Sequence, residues 1–107
     1  MPWNVVFADK KVESALLRLQ PSFVARFIRY AERMESFGPD LGMPHTRSMG
    51  GGLFELRLRG AEGIARVFYC VNEGRQIVML HHFTKKSAKT PPKELAVARD
   101  RLKKVRR

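Results

Sequence analysis

The chain of 107 residues is 44% hydrophobic, which suits one domain with its own core and is too little for two ordinary domains. A single cysteine, the lack of a Cys/His cluster and a longest apolar run of residues 67–71 exclude an internal disulfide, a four-ligand metal site and a membrane-spanning helix. The net charge is +11, and residues 85–107 hold ten Lys or Arg side chains against two acidic ones. This charge indicates a polyanionic partner, with nucleic acid first, or else a solubilising tail. We expect a cytoplasmic protein of one domain, residues 1–107, with no metal, cofactor or membrane partner.

The first part of the chain predicts one strand and two helices. Side chains alternate over residues 3–8, as is typical of a short strand. Asp9 can cap a helix whose apolar positions recur at helical spacing over residues 12–19. Pro21 opens a second helix with a broad apolar stripe, and Gly38-Pro39 ends it. Two consecutive helices after one strand predict an N-terminal helical hairpin.

The rest of the chain predicts a loop, three strands and a last helix. Residues 38–52 contain several prolines and glycines, which predicts a mobile loop. Strand-like runs at 53–59, 64–71 and 76–84 are joined by connections too short for parallel crossovers. Residues 91–107 predict a basic C-terminal helix or tail. The predicted fold is α+β: a small antiparallel sheet in the order β-α-α-β-β-β-α, with the helical hairpin on one face and the basic helix at the C-terminus.

The short turns allow the register of the three predicted strands to be followed inward. If each turn leaves about four residues unpaired, Arg57 lies opposite Arg66, and Arg66 lies opposite His81. Glu55 lies one step along the same face. Because like charges directly opposite one another are destabilising, this cationic row is either functional or a solvent-facing stripe that Glu55 neutralises. A slip of one residue would send the two arginines to different faces.

The other face of the predicted strands is apolar and is expected to pack on the two N-terminal helices. Its members are Phe54, Leu56, Leu58, Val67, Tyr69, Val71, Val78 and Leu80. Phe68, Ile77 and Met79 fall on the side of the cationic row, where the C-terminal helix can cover them. We expect His45 in the loop to be exposed and without a role, and His82 to be an edge residue of the apolar face.

Four segments of the chain, in this order, are similar to one family. They are residues 37–49 (FGPDLGMPHTRSM), 52–57 (GLFELR), 65–69 (ARVFY) and 80–91 (LHHFTKKSAKTP). They resemble the phage-derived HigB-like branch of the RelE/ParE toxin superfamily. With the strand–helix–helix start, the resemblance covers nearly the whole chain. The fold it implies, a small antiparallel sheet with two N-terminal helices, agrees with the predicted one.

The resemblance implies the toxin of a type II toxin–antitoxin pair, acting as an mRNA interferase. Such an endoribonuclease cleaves message in the ribosomal A site and needs no metal. The 2′-hydroxyl attacks the adjacent phosphate, which gives a 2′,3′-cyclic phosphate and a free 5′-hydroxyl. RelE proteins often place a tyrosine near the C-terminal helix, whereas this chain has none after Tyr69.

The resemblance also implies a set of catalytic residues. By position, these are Arg57, Arg66, His81, Lys85 and Lys86. Arginine can hold two phosphate oxygens and keeps its charge, so Arg57 and Arg66 are predicted to clamp the phosphate and its transition state. His81, Lys85 and Lys86 are predicted to share the general acid–base work, with acid and base not assigned. Other basic side chains are predicted to bind RNA: Arg59, Lys89, Lys93, Lys103 and Lys104.

Two other functions remain open at this point. One is a ParE-like toxin that inhibits gyrase by binding, although such an inhibitor has no need of a cationic row on the sheet. The other is a non-catalytic RNA- or ribosome-binding module, for which only Phe68 and Phe83 offer stacking surfaces. The expected partners are mRNA, the ribosome and a cognate helix-turn-helix antitoxin. We expect a monomer alone and a higher-order assembly with the antitoxin.

Overall fold

A computed structural model describes residues 2–61, 63–85 and 89–106, with Lys85 described by its backbone only. The secondary structure elements are β1 (Asn4–Phe7), α1 (Lys10–Leu17), α2 (Pro21–Phe37), β2 (Thr46–Gly50), β3 (Leu53–Gly60), β4 (Gly63–Asn72), β5 (Gln76–Lys85) and α3 (Pro92–Val105). The strands form one five-stranded sheet in the order β1-β5-β4-β3-β2. The predicted α+β class is confirmed. The sheet is mixed rather than purely antiparallel, because β1 pairs with β5 in parallel.

The segment predicted to be a mobile loop, residues 38–52, contains a strand. β2 pairs antiparallel with the first half of β3, from Thr46 opposite Leu56 to Gly50 opposite Leu53. The buried Thr46 hydroxyl donates to Asp40 Oδ1 at 3.2 Å and accepts from the backbone N–H of Leu41 at 3.0 Å. The loop prediction is therefore wrong for residues 46–50. Their sequence, TRSMG, carries no apolar alternation, so the strand depends on its pairing with β3.

Each face of the sheet covers a separate apolar core. The core under α1 and α2 includes Leu16, Phe23, Phe27, Tyr30, Met34, Leu56, Leu58, Val67, Tyr69, Ile77 and Met79. The core under α3 includes Leu53, Phe68, Cys70, Val78, Leu80, Phe83, Ala98 and Leu102. Ile77 and Met79 were predicted on the face of the cationic row but lie in the core under α1 and α2. Val78 and Leu80 were predicted on the opposite face but lie in the core under α3. The physical reason is the β4–β5 turn, in which Asn72 pairs with Gln76, so the register is shifted by one residue.

A bulge in β5 shifts the register a second time. Phe68 lies opposite His81 and Tyr69 lies opposite Met79, so Leu80 is an extra residue in the strand. The two shifts together amount to two residues, which returns His81 to the face of the cationic row. Arg57 lies opposite Arg66, as predicted. The predicted pairing of Arg66 with His81 is wrong, because Arg66 lies opposite Phe83.

The helices are fixed by side-chain contacts at their ends and along their faces. Asp9 Oδ1 accepts from Val12 N at 2.9 Å and caps α1, as predicted. α3 is held to the end of β2 by Arg99, which donates to the carbonyls of Met49 and Gly50 at 2.9 and 3.2 Å. These contacts lay α3 across the sheet face that carries Glu55 and the arginines. Within the described ranges, none of the helices has the length and the apolar character needed to cross a membrane.

Candidate functional site

A buried carboxylate lies at the centre of the face under α3. Glu55 is 0% exposed. Its oxygens accept from Arg57 Nε at 3.2 Å, from Arg66 Nη1 at 3.4 Å and from Thr90 Oγ1 at 3.2 Å. Arg47 Nη2 lies 3.9 Å away. A carboxylate is buried only at high cost unless it is paired, and these partners supply the pairing. We call Arg47, Glu55, Arg57, Arg66 and Thr90 the Glu55 cluster.

The Glu55 cluster carries more positive charge than its carboxylate balances. Three arginines surround one glutamate, which leaves two net positive charges. The side chains of Arg66, Arg57 and Arg47 are 3%, 23% and 41% exposed. The surplus charge therefore lies at the accessible side of the cluster, on Arg57 and Arg47. A fixed cationic group of this kind favours an anion and needs little reorganisation to bind one.

Arg57 is the member of the cluster best suited to hold a phosphate. Its Nε is occupied by Glu55, whereas neither Nη atom makes a hydrogen bond to any residue that the structure describes. The carboxylate thus fixes the plane of the guanidinium and leaves the outer edge of the fork for a ligand. Two parallel N–H donors on such a fork match two oxygens of a phosphate.

Arg66 has a different position from the one predicted for a direct phosphate ligand. It is beside Arg57, as expected, but it is almost completely buried, and its Nη1 lies 3.4 Å from both oxygens of Glu55. The row is therefore not a solvent-facing stripe at this point. The geometry favours a role in which Arg66 holds the carboxylate that in turn orients Arg57.

His81 lies on the same face and is held by α3. It is in the cross-strand row of Glu55 and Phe68, next to the row of Arg57, Arg66 and Phe83. Arg101 Nη1 lies 3.3 Å from His81 Nδ1 and donates to the carbonyl of Leu80 at 2.8 Å. When Arg101 donates to Nδ1, Nε2 carries the hydrogen and donates to Glu94 Oε1 at 2.7 Å. Both ring nitrogens are therefore engaged, and proton transfer at Nδ1 requires Arg101 to move away.

Of the two predicted catalytic lysines, Lys85 is the last residue of β5 and Lys86 comes next in the sequence. The backbone of Lys85 pairs with Ile64, at the end of the strand next to Arg59. Its side chain and all of Lys86 lie outside the described residues. The five predicted RNA-binding residues, Arg59, Lys89, Lys93, Lys103 and Lys104, are exposed. Lys89 and Lys93 lie close in sequence to Thr90 of the Glu55 cluster. Lys103 and Lys104 lie in the last turn of α3, about 15 Å along the helix axis from Lys93 at 1.5 Å per residue.

Several residues of this face could not be assigned a place from the sequence. Arg47 belongs to a segment predicted to be a loop. Thr90, Glu94 and Arg101 reach the sheet only because α3 docks there, and no local pattern predicts that docking. A signal was present in the first turn of α3, where Glu94 is one of only two acidic residues in the basic segment 85–107. An isolated acid among many bases often marks an ion pair.

His82 provides a prediction for the pH dependence of stability. Its pKa is lowered from the ordinary value of 6.5, first by burial and then by repulsion from His81, against smaller opposing effects of the Ala15 backbone and Glu94. The unfolded chain thus binds a proton more readily than the folded one, so stability falls as the pH drops below 6.5. Urea unfolding of wild type and His82→Gln at pH 7.5 and 5.5 measures this effect. We expect a smaller loss in the variant, and an equal loss would contradict the prediction.

A family model described as Phage derived protein Gp49-like (DUF891) matches residues 14–103, from α1 into α3. The chain belongs to this phage-derived family of RelE-like type II toxins. A comparison with curated proteins gives no match. The resemblance to the toxin superfamily is confirmed at the level of this family, and the finer assignment to the HigB-like branch stays a prediction.

Proposed function

We propose that this protein is the toxin of a type II toxin–antitoxin pair of the HigB-like branch, and that it cleaves mRNA in the cytoplasm, at the ribosomal A site. Membership of the Gp49-like family supports a toxin. The observation that carries the proposed nuclease activity is the surplus positive charge of the Glu55 cluster. Part of this charge lies on Arg57, whose Nε is bound to Glu55 and whose two Nη atoms make no hydrogen bond to a described residue. A gyrase inhibitor that acts by binding has no need of this arrangement.

In the proposed reaction, negative charge develops on the phosphate that Arg57 binds. The 2′-oxygen of one nucleotide loses its proton to a base and attacks the adjacent phosphorus, and the bond to the 5′-oxygen breaks as that oxygen receives a proton from an acid. The phosphorus centre carries additional negative charge in the transition state, which the Arg57 fork stabilises more than it stabilises the ground state. Glu55 and Arg66 are positioning residues in this proposal. No metal takes part, and no cofactor is needed for the atoms and charges to balance.

Proton transfer is assigned to Lys85, Lys86 and His81. Lys85 is the last residue of β5, with its backbone in the row of Ile64 and Arg59, and Lys86 and Lys89 follow it in the sequence. Neighbouring positive charge favours the neutral amine, which can act as a base. His81 is the alternative, but its engagement with Glu94 and Arg101 makes it a better stabiliser of the α3 interface than a free base.

The proposed partners are polyanionic or acidic. The exposed basic residues of α3 and of the segment before it suit the RNA of the ribosome and of the message. A cognate helix-turn-helix antitoxin would neutralise the toxin in a higher-order assembly, whereas the toxin alone is proposed to be a monomer. Among the described residues of this face, none of the aromatic side chains is exposed as a single-strand-binding module would need. Phe68 and Phe83 are buried and pack against each other, with 5.5 Å between ring centroids.

Expression in bacteria, with and without the neighbouring reading frame, tests the proposed function. We expect growth arrest when the protein is expressed alone, new 5′-hydroxyl ends in translated messages, and rescue by the neighbouring gene product. DNA supercoiling by purified gyrase should be unaffected. Arrest with intact messages and inhibited gyrase would identify a ParE-like toxin instead. Ribosome binding without new RNA ends would identify a non-catalytic module.

A further inference from the structure

A second cationic site lies at the outer edge of β3, on the side of α2. β2 stops pairing with β3 at Thr46 opposite Leu56, and the backbone carbonyl of His45 accepts from the backbone N–H of Arg57 at 2.9 Å. From Arg57 to Gly60 this edge of β3 has no strand neighbour in the described part of the chain. A cavity of about 80 Å³ opens here. We call it the edge pocket, and its polar lining consists of Arg26, Tyr30, His45, Arg57 and Arg59.

The edge pocket is strongly positive. Three arginines line it, and none of the described lining residues is acidic. Arg26 and Arg59 are exposed, and neither side chain makes an ion pair or a hydrogen bond with another described residue. The charge of Arg57 is balanced in part by Glu55, which accepts from its Nε and does not line the pocket. Since three like charges at one cavity repel one another, an anion in the cavity lowers the electrostatic energy.

A buried tyrosine and a histidine shape the inner end of the pocket. Tyr30 Oη and His45 Nδ1 are 3.1 Å apart, and the ring centroids are 5.1 Å apart. When Tyr30 donates to Nδ1, the hydrogen of the neutral imidazole is on Nε2, so His45 offers an N–H donor without being charged. The prediction of an exposed His45 is therefore wrong, because the residue is half-buried. Its ring is oriented by a buried partner.

The size of the pocket limits what it can hold. Pockets for drug-sized ligands have volumes of roughly 300–1,000 Å³. The edge pocket, at about 80 Å³, has room for one charged group of a longer ligand and not for a whole nucleotide. Guanidinium forks and an imidazole N–H are the donors that proteins use for phosphate oxygens. The chemistry and the size thus agree on a single oxyanion.

We propose that the edge pocket binds a backbone phosphate of single-stranded RNA, next to the phosphate that Arg57 holds for cleavage. This inference rests on the proposed function, because Arg57 belongs both to the Glu55 cluster and to the pocket. Arg59 follows two residues later, about 7 Å along the strand. The RNA strand therefore passes over the edge of β3, from the face under α3 to the side of α2, with Arg26 as its outermost contact.

Binding of an uncleavable RNA tests the proposal with purified protein. A short single-stranded RNA with 2′-O-methyl groups is titrated at several salt concentrations by fluorescence anisotropy. We expect Arg26→Gln and Arg59→Gln each to lower the affinity about tenfold or more, as for other hydrogen bonds between charged groups. The salt slope should become shallower by about 0.7 for each lost phosphate contact. Arg29→Gln is the matched control, because Arg29 is exposed on α2 and does not line the pocket.

The outcomes separate this proposal from the proposed function. Wild-type affinity and salt slope in both Arg26→Gln and Arg59→Gln would overturn the phosphate site, even if the protein cleaves RNA. Loss of RNA binding in these variants would support the site, even if the wild-type protein proves unable to cleave. If the variants keep RNA affinity and lose antitoxin binding instead, the pocket binds an acidic peptide and the proposal is wrong.

Discussion

Replacing Glu55 with glutamine is expected to destabilise the protein by about 3–5 kcal/mol, because it removes one partner from a buried ion pair. Arg66 is 3% exposed and would keep its charge, whereas its contacts to the Glu55 carboxylate would become contacts to a neutral amide. Arg57 and Arg47 would lose their common anion as well. Urea unfolding followed by circular dichroism measures the effect. We expect a lower midpoint with an unchanged dependence on urea concentration.

Two further variants make this prediction specific to the buried pair. Asp100→Asn removes an exposed carboxylate, 3.2 Å from Lys104, and should change stability by no more than about 0.5 kcal/mol. Glu55→Met combined with Arg66→Met removes both buried charges, and it should recover part of the stability lost in Glu55→Gln. Equal stability of wild type and Glu55→Gln would show that the carboxylate does not organise the arginines.

Arg57→Ala is expected to slow the proposed cleavage of ribosome-bound message by about 10²–10³, the usual cost of removing one preorganised donor to a developing negative charge. The variant should fold, because the Arg57 side chain is partly exposed and Glu55 keeps its hydrogen bonds to Arg66 and Thr90. Arg57→Lys should restore activity only in part, since an ammonium group cannot replace a planar fork with two donors. Single-turnover cleavage is the measurement, so that product release does not mask the chemical step.

Arg33→Ala is the control for Arg57→Ala, because Arg33 is exposed on α2 and lies outside the Glu55 cluster and the edge pocket. It should cleave at the wild-type rate. Both variants should bind the antitoxin if they are folded. A wild-type rate in Arg57→Ala would show that the cluster stabilises the sheet and does not act on RNA.

The sequence was sufficient to predict the strand register in those parts of the sheet where a short turn alone determines it. Gly60 lies opposite Gly63, so the pairing of Arg57 with Arg66 follows from a turn that local sequence predicts. The pairing of β4 with β5 does not follow in this way. It depends on the turn at residues 73–75 and on the bulge at Leu80, whose side chain packs in the core under α3. Tertiary packing therefore decided the register where the local pattern was ambiguous.

In the candidate site, too, the features that depend on local sequence could be predicted, and those that depend on distant contacts could not. Basic residue types and strand parity were enough to place Arg57, Arg66 and Glu55 on one face. They did not predict that Arg66 is buried, because its exposure depends on where α3 lies. They also did not predict the pairing of Tyr30 with His45, which joins α2 to a segment without regular structure. Both features depend on contacts between elements that are distant in sequence.

The attachment of α3 to the end of β2 has a consequence for the order of folding. Arg99 bonds carbonyls that lie 49 and 50 positions earlier in the chain, whereas β3, β4 and β5 are joined by short turns. Closing a long loop costs more entropy than closing a hairpin, so the three-stranded meander should form before α3 docks. Thr90, Glu94 and Arg101 reach the sheet only with that docking. A chain that is still being synthesised therefore has the arginines of β3 and β4 but neither the Thr90 contact to Glu55 nor the partners of His81, and the site is complete only after α3 has left the ribosome.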